Sequence, residues 1–99
     1  MAQQKRSAHS DKTITAAPTD LLPTMLRDLM DLAATKTEKD ARGTYADAAA
    51  VADEIATRTG ANVTVIKNNI STAASMFFLP GAAAAHGARV SAELDRLGL

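Results

Sequence analysis

The stretch DEIATRTGANVTVIKNNI, residues 53–70, decides how this chain folds. Its apolar residues recur at helical intervals on both sides of Gly60, as two amphipathic helices would place them. Gly60 ends the first helix, because a left-handed conformation costs glycine little, and Asn62 caps the start of the second. Ile66 and Ile70 then face the core. The stretch therefore predicts two helices joined by a tight turn.

The sequence before this turn predicts two helices and a segment between them. The first helix starts near Thr19–Pro23 and carries a stripe of leucine and methionine, which forms the core or a dimer seam. Residues 35–43 break the apolar periodicity and close with glycine, so we expect them to lie outside a helix. The second helix then starts at Thr44, with a variant of the capping box, and ends at Gly60.

The sequence after the turn completes a small all-α domain. A helix runs from Asn62 until a proline–glycine pair at 80–81 breaks it, and a last helix covers residues 82–97. No segment of useful length favours a strand. Residues 18–99 are therefore expected to form one four-helix domain. Residues 1–17 are polar and unperiodic, which predicts a disordered, flexible tail; a basic arm that touches phosphates is the alternative.

Composition limits the core and the kinds of site. The 99 residues suffice for one domain, and much of the 46% apolar fraction is alanine, so stability depends on close helix packing. With no cysteine there is no disulfide or thiolate chemistry. No apolar run approaches the length of a membrane span and no signal-peptide pattern is seen, so we expect a cytoplasmic location. No metal-ligand or nucleophile–base spacing is found, and we expect no enzyme activity, catalytic residue, cofactor, metal or small-molecule substrate.

The formal charge is zero, but the charges are distributed unevenly. Residues 55–92 contain no acid, whereas Arg58, Lys67 and Arg89 in this range are basic. A surface that faces phosphate needs this absence of repulsion as much as it needs cations. Three bases are a weak electrostatic footprint, so tight binding would require a dimer.

Residues 47–71 resemble the helix-turn-helix of phage repressors and of the lactose-repressor class. The elements that carry the resemblance are the Ile55-Ala56 pair, Gly60, Asn62, and Ile66 with Ile70. Two residues depart from the pattern, since Thr59 replaces a buried aliphatic residue before the turn glycine and Ala61 replaces a valine after it. The resemblance implies that the second helix enters the major groove of DNA, although such a fold can also be reused to bind protein.

The polar face of the second helix gives the resemblance a function. Its side chains are nearly all neutral hydrogen-bonding groups without a carboxylate, whereas a purely solvated helix mixes charges. Asparagine pairs with adenine, threonine and valine methyl groups contact thymine, and lysine meets phosphate or guanine. The candidate DNA contacts are Asn62, Val63, Thr64, Lys67, Asn68 and Ser71. The expected function is a sequence-specific transcriptional regulator, a small repressor that binds double-stranded DNA as a homodimer through helix 62–75.

The most apolar stretch of the chain is Met76-Phe77-Phe78-Leu79. One helix face cannot cover four consecutive residues, although Phe77 continues the inward stripe. Either the last helix folds back over the stretch, or Met76, Phe78 and Leu79 form an interface with a second copy or another protein. A second function therefore stays open, that of a non-enzymatic protein-interaction module: a small inhibitor, adaptor or structural accessory that docks a partner through its apolar helix faces.

Overall fold

A computed structural model describes residues 11–99 and shows an all-α fold over this range. The elements are α1 (Asp11–Ala16), a 3-10 turn (Thr19–Leu21), α2 (Leu22–Ala34), α3 (Glu38–Thr59), α4 (Thr64–Ser75) and α5 (Ala82–Arg96). The predicted fold class is confirmed, with α1 added to the four predicted helices. None of the helices in this range has the length and apolarity that crossing a bilayer demands.

The core lies where α2, α3 and α5 meet. Leu22, Leu26 and Met30 of α2 are fully buried, as are Val51 of α3 and Leu94 of α5. The helix α2 packs against both α3 and α5, while α4 packs against α3 and α5. The leucine and methionine stripe is therefore the core-former, and α4 sits on the outside of the bundle with one face against it.

The helix α3 begins at Glu38, earlier than the predicted start at Thr44. Thr37 caps it by accepting a hydrogen bond from the backbone N–H of Asp40 at 3.4 Å, and the acids of the first turn suit the helix dipole. The prediction of a non-helical segment over residues 35–43 is therefore wrong from Glu38 onward. Two capping motifs follow one another in the sequence, and the earlier one is used.

Thr44, the predicted cap of this helix, lies inside α3 and is buried. Its hydroxyl accepts a hydrogen bond from Lys36 Nζ at 2.8 Å, which ties the α2–α3 connection to the helix. Gly43 lies inside the same helix with open space around it. The early start matters for the site, because it makes α3 long enough to carry Arg42 alongside α4.

The helix α1 is short but docked. Ile14 is buried against α3, with 3% of its surface exposed. Arg58 of α3 donates hydrogen bonds to the backbone carbonyls of Ile14, Thr15 and Ala17. The tail predicted over residues 1–17 therefore does not extend through α1, and its first ten residues lie outside the described range.

Candidate nucleic-acid interface

A tight, hydrogen-bonded turn joins α3 to α4. Gly60 adopts a left-handed conformation with φ of 75°, and its amide donates to the Ala56 carbonyl at 2.9 Å. The Thr59 hydroxyl donates to the Ile55 carbonyl at 2.7 Å and accepts from the Ala61 amide at 3.1 Å. Thr59 departs from the repressor pattern, yet here its hydroxyl links the end of the helix to the turn. The hydrogen bonds of Thr59 thus stabilise the turn, which an aliphatic residue at this position would stabilise by packing.

The start of α4 is fixed by Asn62 and Val63. The Asn62 side-chain carbonyl accepts a hydrogen bond from the Thr64 amide at 2.9 Å, which satisfies one of the unpaired N–H groups of the first turn. Val63 is 7% exposed and belongs to the core. A side chain held there cannot reach a base edge, so Val63 is removed from the candidate contacts and assigned to the packing of the turn.

One face of α4 is buried, which fixes the direction of the other. Ile66, Ile70 and Ala73 are buried in the core together with Ile55 of α3. The opposite face exposes Thr64, Lys67, Asn68 and Ser71, and Asn62 is exposed just before it. We call these five residues the ridge. The ridge is open to solvent and carries no carboxylate of its own.

The helix α5 covers the flank of α4 and leaves the ridge open. Asn69 donates through its side-chain amide to the Val65 carbonyl at 2.9 Å, and its Oδ1 lies 2.9 Å from Nδ1 of His86 on α5. Because the amide nitrogen of Asn69 is already a donor, Oδ1 accepts from His86. Asn69 is therefore an internal link between two helices, although its neighbour Asn68 is exposed.

An acid lies directly beside the ridge. Lys67 Nζ is 2.7 Å from Asp53 Oδ1 of α3, and the two side chains are 44% and 59% exposed. In the sequence, Asp53 lies just before the acid-free range. Counting charges along the chain therefore does not place this acid beside the ridge. The contact forms across two helices, which no spacing rule within one helix would reveal. An exposed pair of this kind is weak, and Lys67 stays available to a stronger anion.

A second cation lies alongside the ridge. A shallow groove of about 310 Å³ runs between α3 and α4, lined by Arg42 and Tyr45 on one side and by Lys67, Ile70 and Ser71 on the other. Arg42 is 76% exposed and lies 3.4 Å from Glu38 one turn away. Sequence reasoning missed Arg42, because the broken periodicity predicted a connecting segment at this position instead of a turn of α3.

Tyr45 is buried at the bottom of this arrangement. Its hydroxyl has no hydrogen-bond partner within the described residues, and burial raises the pKa of the phenol above its usual value. Its ring meets the ring of Phe77 edge-on, with centroids 6.2 Å apart. Tyr45 therefore packs α3 against the segment that follows α4, and its hydroxyl group makes no hydrogen bond among the described residues.

Arg58 is less accessible than its sequence position suggests. Its side chain is 18% exposed, its Nε lies 2.7 Å from Glu54 Oε2, and its terminal nitrogens bond to carbonyls of the α1 segment. Of the three bases expected to face phosphate, Lys67 is on the ridge, Arg58 is enclosed, and Arg89 is exposed on α5. The cations that line the groove beside the ridge are Lys67 and Arg42.

The apolar stretch after α4 is divided. The helix α4 ends at Ser75, before the predicted break, and Phe77 is partly buried against the core. The three candidate interface residues are exposed: Met76 at 38%, Phe78 at 68% and Leu79 at 41%. The last helix therefore does not fold over all four residues, and these three side chains form an apolar surface at the C-terminal end of α4.

Comparison with known proteins identifies no relative of this chain. The chain matches no family model, and no curated protein or solved structure is significantly similar to it. Within the described residues, no three His, Cys, Asp or Glu side chains are grouped closely enough to hold a metal ion. Function is therefore inferred from the geometry of the ridge and from the residues of the α3–turn–α4 unit.

Proposed function

We propose that this domain is a cytoplasmic, sequence-specific DNA-binding regulator, a small repressor that acts as a homodimer. The observation that carries the proposal is the ridge, an exposed and carboxylate-free face on a helix that two buried isoleucines hold in place. With side chains, an α-helix is about 10–12 Å across, which matches the width of the major groove of B-DNA, roughly 12 Å. The 12 residues of α4 extend about 18 Å, enough to lie along a half-site.

In this proposal four of the five ridge residues have a role set by their chemistry. Asn68 offers both a donor and an acceptor to an adenine edge, and Thr64 and Ser71 offer hydroxyl groups. Lys67 neutralises a phosphate and exchanges its Asp53 partner for it, which costs little because the ion pair is exposed. Arg42 extends the positive surface on the α3 side of the groove.

Two nearby cations per protomer give modest affinity, and a homodimer doubles them. A symmetric pair would place two copies of α4 in successive major grooves, about 34–36 Å apart, on a pseudo-palindromic site. Specific binding would then occlude a promoter without any further domain. The exposed surface of Met76, Phe78 and Leu79 is one place where the two protomers could meet.

The electrostatic part of the proposal is tested by fluorescence anisotropy with a labelled duplex at several salt concentrations. We expect binding that weakens steeply as salt rises, because phosphate contacts release counterions. Lys67→Gln should lower the slope of log K against log salt by about 0.9 per protomer, roughly 1.8 for the homodimer, for every sequence, and Lys67→Arg should retain it. Salt-independent binding would contradict the phosphate contacts, and no binding at low salt would rule out the duplex as the ligand.

The sequence-reading part is tested by two adjacent asparagines. Asn68→Ala should weaken a selected site by about 1–3 kcal/mol and relax the base preference at one position. Asn69→Ala is the matched control, because this side chain bonds within the protein and should change stability without altering base preference. Equal effects of both substitutions on base preference would contradict the assignment of Asn68.

A second candidate function is a protein-interaction module, and the exposed apolar surface after α4 favours it. Phe78 is 68% exposed, and Met76 and Leu79 close to it in the chain are exposed as well, so the apolar side chains are grouped. Phe78→Ser should then abolish association with a partner or a second copy, measured by sedimentation, while the thermal transition is unchanged. If duplex binding is absent and this association persists, the interaction module replaces the regulator as the account of the domain.

A further inference from the structure

Arg58 makes the densest set of long-range polar contacts among the described residues, and the proposed DNA interface does not use it. One terminal nitrogen donates to the Ala17 carbonyl and lies 3.5 Å from Thr19 Oγ1. The other donates to the carbonyls of Thr15 and of Ile14, the latter at 2.9 Å. Its Nε is held by Glu54 at 2.7 Å. The guanidinium therefore caps the C-terminal end of α1.

The helix α1 depends on this cap for its order. It has six residues, fewer than an isolated helix needs to form in water. What holds it is Ile14, buried to 3% exposure, together with the Arg58 hydrogen bonds to its last carbonyls. A segment with so few anchors opens at lower free energy than the core of the domain.

The same segment is linked to the ridge through Asp53 of α3. A hollow of about 310 Å³ lies beside the contact between α1 and α3, and it is lined by Ile14 and Thr15 of α1 and by Asp53 and Glu54 of α3. Asp53 is the residue that pairs with Lys67 of the ridge. Asp53 therefore lines the hollow together with docked α1 and also pairs with the lysine of the proposed DNA contact.

We infer that α1 competes with a nucleic-acid phosphate for Arg58. When α1 is docked, its carbonyl groups hold the guanidinium; when α1 is released, Arg58 supplies one phosphate contact in addition to those of the ridge. The inference rests on the proposed function. Carbonyl oxygens occupy the terminal nitrogens, which are the donors that engage a phosphate in a bidentate pair. Glu54 engages Nε, so release of α1 leaves both terminal nitrogens to the phosphate.

The test measures duplex binding by the full chain with Ile14→Ala, which removes the apolar anchor of α1, and with Ile14→Val as the matched control. Faster amide exchange at Ala17, whose N–H bonds to the Ile14 carbonyl at 3.2 Å, reports release. We expect Ile14→Ala to bind mixed-sequence duplex roughly five- to tenfold more tightly near 0.1 M salt, with a salt slope steeper by about 0.9 per protomer. Ile14→Val should match the parent.

Arg58→Gln separates competition from simple obstruction. It should also speed exchange at Ala17, yet leave affinity near that of the parent, and it should cancel the gain when combined with Ile14→Ala. If Arg58→Gln alone tightens binding as much as Ile14→Ala does, α1 obstructs the surface and the competition is contradicted. Should Ile14→Ala fail to speed exchange, Thr15→Pro breaks α1 directly and must give the same gain.

The outcomes distinguish this inference from the proposed function. A parent that binds duplex with a normal salt slope, alongside a released variant that binds no better, overturns the role of α1 and leaves the ridge intact. A parent and released variants that all fail to bind at low salt overturn both.

Discussion

The two connections at the ends of α4 differ in how far the protein itself buries their apolar side chains and pairs their polar groups. Before α4, hydrogen bonds from Thr59 and to Asn62 close the turn, and Val63 is buried beneath it. After α4, Met76 and Phe78 are exposed, and they lie in a segment of hydrogen-bonded backbone turns. The chain therefore positions the beginning of the ridge firmly and leaves apolar surface at the other end, where only a partner could cover it.

The largest expected effect comes from Ile66, which anchors α4 between the two connections. Ile66→Ala should lower the free energy of unfolding by about 2–5 kcal/mol, because Ile66 is fully buried and its loss leaves a cavity under the ridge. Its neighbour Val65 is 48% exposed, and Val65→Ala should change stability by no more than about 0.5 kcal/mol. Urea denaturation measures both. Similar losses for the two would mean that α4 is not seated as described.

The next effect separates the two aromatic residues after α4. Phe77→Ala should destabilise the domain by roughly 2 kcal/mol, about half of what full burial would give, since its ring packs against Tyr45. Phe78→Ala should shift the thermal midpoint very little, because the side chain is 68% exposed. A large loss for Phe78 in dilute solution would show that its ring is covered, and the contrast between the two connections would fail.

The turn before α4 makes a specific demand on the backbone. Gly60→Ala should destabilise by about 1–2 kcal/mol, because φ at this residue is 75° and alanine avoids the left-handed region. Gly43 is the matched control, since it lies within α3 with open space where a methyl group would stand, and Gly43→Ala should stabilise by about 0.5–1 kcal/mol. Thermal denaturation of the two variants compares them, and effects of the same sign would contradict the assigned conformations.

The smallest effect concerns the hydroxyl of Tyr45. Tyr45→Phe should leave stability unchanged or raise it by up to about 1 kcal/mol, because the buried hydroxyl has no partner among the described residues. Since burial raises the pKa of this phenol, the parent should lose stability above its ordinary titration range as the folded state resists ionisation, and the phenylalanine variant should lose less. Denaturation at neutral and alkaline pH compares them.

The sequence predicted local features well where a single signal decided them. Gly60 as the end of a helix and the burial of Ile66 and Ile70 follow from spacing alone, and the structure has each of them. The predicted cap at Asn62 is wrong by one position, because Val63 is the N-cap of α4, although Asn62 still accepts a hydrogen bond from the Thr64 amide. The predicted start of α3 was wrong because two capping motifs compete, and the choice depends on tertiary packing of the residues between them.

The features that the sequence left hidden all involve contacts between distant parts of the chain. Asp53 reaches Lys67 across two helices, and Arg58 reaches carbonyls more than forty positions earlier. Arg42 comes alongside α4 because α3 begins early. Backbone carbonyls carry no sequence signal, so no pattern of residue types could have identified them as partners of Arg58.

The central claim is that the ridge, and not the apolar surface after α4, meets DNA. An NMR titration of the full chain with a short mixed-sequence duplex at low salt tests it most directly, because amide signals report each region separately. We predict saturable shifts concentrated at residues 62–71, with little change at 76–79. Shifts confined to 76–79, or no shifts at any duplex concentration, would contradict the claim.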